Sequence, residues 1–266
     1  MQTAITKTTS NNLAKLRTAD SNGSKSAELR NVRDMIAHKV DAIVLLSVDA
    51  SALDADIAAA QKAKIPISLI AVTPSDDSKI LGAVISDLPG IGKLDAQWVD
   101  AAAAGKPVKA GVISGDGSTS SNLMVDGFTK NLAGDVQLVG NERGMFDRAT
   151  AKAAAARMIQ AHPDLQYAFV ANEDMAFGVR QAFDAAGAYG VKIVTVNGTD
   201  QGLAALKDGK FAATVSNSVR DLGALAVTHT LALLRKEETN KIEHIDARLV
   251  TKANADTAPL YCDTEG

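Results

Sequence analysis

The sequence predicts an α/β protein whose parallel sheet is covered by helices on both faces. Two observations carry that prediction. Short apolar runs rich in β-branched residues alternate with Ala-rich amphipathic stretches along nearly all of the 266 residues, the pattern of buried strands joined by crossover helices. Glycine and proline then punctuate the chain where helices should stop.

Taken in order, the elements begin with an ambiguity. Residues 2–12 are either the tail of a helix whose beginning is absent or a hairpin arm turning through Ser10-Asn11-Asn12. The helix is the favoured reading. Only about a dozen residues precede a first expected strand at 14–17, whereas a βα unit with its following strand takes roughly 30. Strands are then expected at 42–46, 67–71 and 82–85, with helices at 26–38 and 52–63. Lys64-Ile65-Pro66 ends the second of these helices and launches a strand, because proline restricts the residue before it. After a helix at 90–103 the alternation continues. Strands are expected at 109–113, 135–139, 167–171, 192–196, 213–216 and 248–251, and helices at 122–132, 149–160, 176–186, 201–207 and 222–234. Ala186-Gly187-Ala188 and Asp208-Gly209-Lys210 place glycine where a left-handed C-cap is needed. No low-complexity linker divides the chain, so if it forms two lobes the backbone crosses between them more than once.

Composition excludes several function classes. Hydrophobic residues make up 46% and aromatics only 4%, so the core rests on Ala, Val, Ile and Leu. With 28 basic against 31 acidic residues the net charge is −3, and no basic patch suited to a phosphate backbone is evident, which argues against a nucleic-acid partner. Cys262 is the single cysteine, so there is no intrachain disulfide and no cysteine cluster for metal. No apolar run is long enough to span a bilayer, and MQTAITKTTSNN lacks the apolar core of a signal peptide. The chain as given is expected to be soluble, with no export address and no cofactor. Gly111 to Gly117 makes no dinucleotide fingerprint, and His38, His162, His229 and His244 are scattered without a nucleophile motif. Asp147, Glu173 and Asp174 stand where acidic residues commonly cap helices. Catalysis is not expected.

Three asparagines stand where apolar strands run out: Asn172 after YAFVA, Asn197 after VKIVTV, Asn217 after FAATVS. Ligands of open α/β sheets bind beyond the carboxyl ends of the strands. An amide both donates and accepts, which suits a neutral, hydroxyl-rich molecule better than proton transfer or metal binding. Asn172 also reads as a helix N-cap, Asn197-Gly198 as a tight turn, and Asn217 as a residue satisfying backbone groups. The hydroxyl-rich loop Asp116-Gly117-Ser118-Thr119-Ser120-Ser121 either lines the same cleft or caps the helix after it.

From about Ala14 to Thr251 the chain resembles the type I periplasmic solute-binding proteins, the ribose- and galactose-binding group of ABC transporters, whose fold also serves the effector domains of LacI-type repressors. The resemblance rests on Ala19-Asp20-Ser21-Asn22-Gly23, Val40 to Leu45 and Ala63 to Ile67 in the first half. In the second half it rests on Phe146-Asp147-Arg148-Ala149, His162 to Gln166, Asn172 to Gly178 and Lys207 to Val215. It implies two doubly wound lobes joined by three crossovers, residues 1–115 with 218–247 and residues 116–217 with 248–266, closing on a ligand by hinge motion. It further implies that the fold's first strand and part of its first helix are missing here.

By the same resemblance the chain is a periplasmic, monomeric binding protein delivering a sugar or polyol to an ABC permease. The alternative is the sensing domain of a LacI-type regulator without its DNA-binding part. Phe146 matches an aromatic that stacks on a sugar ring, Asn172 a ligand-binding asparagine, and Asn217 a hinge-proximal amide, while Asn197 replaces a usual aspartate. Asp116, Ser118 and Asp20 complete the expected ligand-binding set. Ala71, Val72 and Met124 stand where charged residues are usual, so either the solute differs from ribose or galactose or charge comes from Asp20, Asp49 or Arg148, the last reading better as structural.

Overall fold

The structure, a computed structural model, describes residues 1–48, 50–71, 73–259 and 261–262. In chain order its elements begin α1 (Gln2–Asn11), α2 (Lys25–Ala37), β1 (Ile43–Leu45), α3 (Ala50–Ala63), β2 (Ile67–Ile70) and β3 (Gly82–Ser86). There follow α4 (Leu88–Ala103), β4 (Val108–Ser114), α5 (Thr119–Thr129), β5 (Val136–Arg143), α6 (Arg148–Ala161) and β6 (Tyr167–Val170). The chain ends with α7 (Glu173–Ala185), β7 (Lys192–Asn197), α8 (Asp200–Lys207), β8 (Ala213–Ser216), α9 (Val219–Leu234), β9 (Ile242–Ile245) and β10 (Arg248–Thr251). Two compact units result: Met1–Ser86 with Val219–Ile245, and Asp87–Ser218 with Asp246–Tyr261.

The first unit carries a parallel sheet in the order β1-β2-β3-β9. One face buries Ile43, Leu45, Ile67 and Leu69 against Val32 of α2 and Leu53 and Ile57 of α3. The other buries Ile70 and Val84 against Leu222 and Ala226 of α9, which α1 covers in turn. Residues 2–11 are thus helical. The expected strand at 14–17 is not formed: among the described residues it pairs with no strand. Its apolar residues find no core, with Leu16 37% and neighbouring Leu13 97% exposed, and Arg17 instead reaches Asp34 on α2 at 2.8 Å. β1 is consequently an edge strand, with Val44 and Leu46 exposed. β9, not expected from the sequence, is half-exposed Ile-Glu-His-Ile whose apolar signal is weak, yet it pairs with β3 in register Ala83 to Ile242.

The second unit's sheet runs β10-β8-β7-β6-β4-β5. All its pairs are parallel except β10 with β8, an antiparallel edge; this departs from the wholly parallel sheet that the alternation predicted, and β10 needs no crossover helix of its own. β4 pairs with β5 and β6 at once. The first lobe was expected to run to residue 115, but this pairing places β4 inside the second unit, and the first boundary falls between Ser86 and Asp87.

Packing here depends on close approach of α4 and α5. A Cβ on Gly92 would stand 2.0 Å from the Met124 carbonyl oxygen, and one on Gly127 would stand 2.0 Å from that of Pro89. The reciprocal glycines let the two helices touch backbone to backbone. Beneath them the Phe128 and Phe169 rings stack with centroids 4.7 Å apart, and truncating either would cost about 3–5 kcal/mol. Left-handed Gly187 and Gly209 (φ 71° and 75°) follow α7 and α8, where the C-cap argument placed them.

Candidate functional site

In the second unit the strand order reverses at β4: β5 lies on one side of it, and β6, β7 and β8 run out on the other. A parallel sheet opens a crevice at such a reversal, beyond the carboxyl ends of its strands. Register sets those ends level, with Ser114 opposite Arg143, Ile113 opposite Val170, Val170 opposite Thr195 and Asn197 opposite Ser216. The segments after β5, β4, β6, β7 and β8 therefore bring Phe146, Asp116 with Ser118, Asn172, Asn197 and Asn217 into one row. At ~4.8 Å per strand the row spans roughly 19 Å. Asp20 is not among them. It lies exposed in the first unit, accepting the Asn22 N–H at 2.8 Å. Asp49 and Val72 lie outside the described residues.

Phe146 owes its place to an unusual turn. The Gly144 N–H donates to the Ser114 carbonyl at 2.8 Å, after which Met145 and Phe146 adopt φ of 56° and 52°. Consecutive non-glycine residues in the left-handed region are strained by on the order of 1–3 kcal/mol each and persist only where surrounding structure compels them. The turn lays the half-buried ring over Gly115, where a Cβ would stand 2.3 Å from the ring's Cζ. Asp147 then caps α6, accepting the Thr150 N–H at 2.8 Å, and this bond with that from the Thr150 hydroxyl holds its carboxyl below the usual range.

The loop after β4 largely satisfies itself. Asp116 accepts the Ser118 N–H at 2.9 Å and is held below the usual carboxylate range by Ser118. Ser118 Oγ caps α5, accepting from Ser121 N at 3.4 Å, and Ser121 Oγ accepts the Gly115 N–H at 2.9 Å. The capping role foreseen for this loop is realised.

The asparagines divide differently. Asn172 Oδ1 accepts the Met175 N–H at 2.8 Å and caps α7, yet its amide Nδ2 makes no hydrogen bond among the described residues, so capping leaves the donor half of the side chain available. Asn197 is held at φ 139°, its carbonyl accepts the Asn217 N–H at 3.1 Å, and its side-chain amide has no partner among the described residues. Both half-buried amides stand at strand ends with donors unused.

Glu173 organises this end of the sheet, a role not recognised in the sequence. It is 2% exposed, and its carboxylate accepts the Gly198 N–H at 2.9 Å, the Thr199 N–H at 2.8 Å and the hydroxyls of Thr199 and Thr214 at 2.5 and 2.7 Å. One residue of α7 thereby fixes the turn after Asn197 and the neighbouring strand β8. Its position directly after Asn172 was the available signal.

Arg148 is structural, as expected. It donates to Asp174 from Nε and Nη2 at 3.1 and 2.6 Å, and its guanidinium lies 5.2 Å from the Phe177 ring. Met124 is buried in the core, and no cluster of metal ligands occurs among the described residues. The arrangement offers an aromatic face and free amide donors in a half-buried row, chemistry suited to holding a polar molecule without transforming it.

Known proteins share this architecture. Residues 1–238 match the family described as periplasmic binding protein domain. The ribose import binding protein of Salmonella typhimurium is 28% identical over 237 residues, 88% of this chain and 79% of that protein. The xylitol-binding protein of Mycolicibacterium smegmatis is 28% identical over 251 residues, 92% of this chain and 70% of its own length. Among solved structures, the periplasmic binding protein component of the arabinose ABC transporter from Shewanella sp. ANA-3, bound to arabinofuranose, is 26% identical and superposes with a TM-score of 0.86 over 96% of this chain and 88% of that one.

Proposed function

The chain belongs to the periplasmic binding protein domain family, and from that premise we propose that the strand ends of its second unit hold a sugar or polyol for an ABC transporter. It is a solute-binding protein and not an enzyme. Named relatives bind ribose and xylitol, and a neighbour at 26% identity holds arabinofuranose, so the ligand class comes from them. The observation in this chain that supports the reading is the pairing of a ring on a bare glycine with unused amide donors at the sheet's reversal point.

In this reading Phe146 covers the C–H face of a sugar ring, which suits an aromatic surface. Asn172 Nδ2 and the Asn197 amide hydrogen-bond its hydroxyls, while Asn217 bounds the site at β8. Asp116 and Ser118 line it between Phe146 and Asn172. A membrane permease as recipient, a periplasmic location and a monomeric state complete the proposal.

A thermal-shift screen of pentoses, hexoses, xylitol, myo-inositol and amino acids tests it. A ligand that binds only the native state raises the melting temperature, and at least one sugar or polyol should do so. Stabilisation by amino acids alone would overturn the ligand class.

A further inference from the structure

The charges at the second unit's strand ends are unevenly satisfied. Among the acidic residues, Glu142 is paired with Arg157 at 2.7 Å and Asp174 with Arg148 at 2.6 Å. Asp147 and Asp116 are engaged with Thr150 and Ser118, and Glu173 is buried under four donors. Asp200 stands past β7 in the first turn of α8, three strands from β5 and so roughly 14 Å away at the spacing of parallel strands. Arg143 is different. It is the last residue of β5 and exposed, and it makes no ion pair or hydrogen bond from its guanidinium among the described residues.

Its position is nevertheless defined. Gly117 takes φ 85°, and a Cβ placed on it would lie 3.5 Å from both Cζ and Nη2 of Arg143. Two residues earlier, Gly115 carries the Phe146 ring. The segment Gly115-Asp116-Gly117 is thus a floor with glycine at either end, an aromatic ring over one and, beside the other, a guanidinium that makes no ion pair among the described residues. The N-termini of α5 and α6 begin at the same edge of the sheet and add positive potential there.

We infer that Arg143 selects a hydroxyl-rich solute bearing a carboxylate, a sugar acid, with Phe146 on the ring and the guanidinium on the acid group. The inference rests on the sugar-site reading above and deepens it. A guanidinium meets a carboxylate through two parallel hydrogen bonds, and such an ionic contact accounts for about a tenfold gain over a neutral hydroxymethyl at the same place.

Isothermal titration of the intact protein with D-galacturonate, D-galactose, D-glucose, D-ribose and xylitol tests this, alongside Arg143→Gln and Arg143→Lys. The acid should bind the unaltered protein about tenfold more tightly than its neutral parent, and raised salt should weaken it. Arg143→Gln should erase that preference by weakening the acid more than the neutral sugar, and Arg143→Lys should retain part of it. Equal or tighter binding of the neutral parent, or an acid preference that survives Arg143→Gln, overturns the role of Arg143 and leaves the sugar site standing. Absence of binding by every one of the five compounds in all three proteins overturns the sugar site and this inference together.

Discussion

The ring of Phe146 occupies the space where a side chain on Gly115 would begin, 2.3 Å from the position of that glycine's Cβ. The two residues follow neighbouring strands, and the aromatic face exists only because the residue after β4 has no side chain. Gly115→Ala should displace the ring without unfolding the sheet. Affinity for the best sugar from the thermal screen should fall about tenfold by titration calorimetry, matching Phe146→Ala. Unchanged affinity in both variants would remove Phe146 from the site.

Asn172 performs two tasks that a substitution can separate. Serine caps a helix about as well as asparagine but lacks the amide donor. Asn172→Ser should keep the denaturation midpoint within the equivalent of about 0.5 kcal/mol and still lose about tenfold in ligand affinity. Loss of stability with intact affinity would assign the residue to capping alone.

Glu173→Ala strands the buried N–H of Gly198 and the half-buried N–H of Thr199. Each unsatisfied buried donor costs about 1–3 kcal/mol, so urea denaturation should show a loss of about 3 kcal/mol for the second unit. A ligand held by Asn197 should also bind more weakly, because the turn after that residue loses its anchor.

Two buried acids predict that stability declines as pH rises. Asp56 on α3 is fully buried, and burial together with the adjacent Glu28 carboxyl raises it from the usual 3.8 to about 7. Asp95 on α4 is fully buried without a hydrogen-bond partner among the described residues, and desolvation raises it well above the usual range. A group whose native pKa is raised binds its proton more tightly when folded. Its contribution is whole below about pH 4 and is lost as pH climbs through the native value. For Asp56 that window is about pH 4 to 7. Asp56→Asn should match the unaltered protein's melting temperature near pH 4 and exceed it at pH 8, and Asp95→Asn should behave alike. The residues lie in different units, so the gains should add. Melting curves that stay parallel across this range would refute the assignment.

Much of this architecture could be read from residues alone, and the failures have physical causes. Strands β2, β4, β6, β7 and β8 are continuous β-branched or apolar runs buried on both faces, so the pattern named them. Helix starts were read late by one to three residues, at Asn122 rather than Thr119 and at Ala176 rather than Glu173, because apolar periodicity begins only after the cap. The stretch at 14–17 was misread because an apolar-looking segment becomes a strand only where a neighbour supplies a ladder. At the site, the residue types at the strand ends were legible one at a time. The free Nδ2 of Asn172, the four bonds of Glu173 and the fit of Phe146 over Gly115 were not, because each depends on which neighbouring strand end stands alongside.

The pairing of β3 with β9 also fixes an order of assembly. Residues 87–218 supply nearly all of the second unit from one unbroken stretch, so that unit can collapse on local contacts as soon as the stretch is made. The first unit closes its sheet only when Ile242–Ile245 reaches β3, after residues 87–218 of the second unit have emerged. Contacts so distant in sequence form slowly. During synthesis residues 1–86 therefore wait with the β3 edge bare as well as that of β1, the interval in which aggregation threatens a nascent chain.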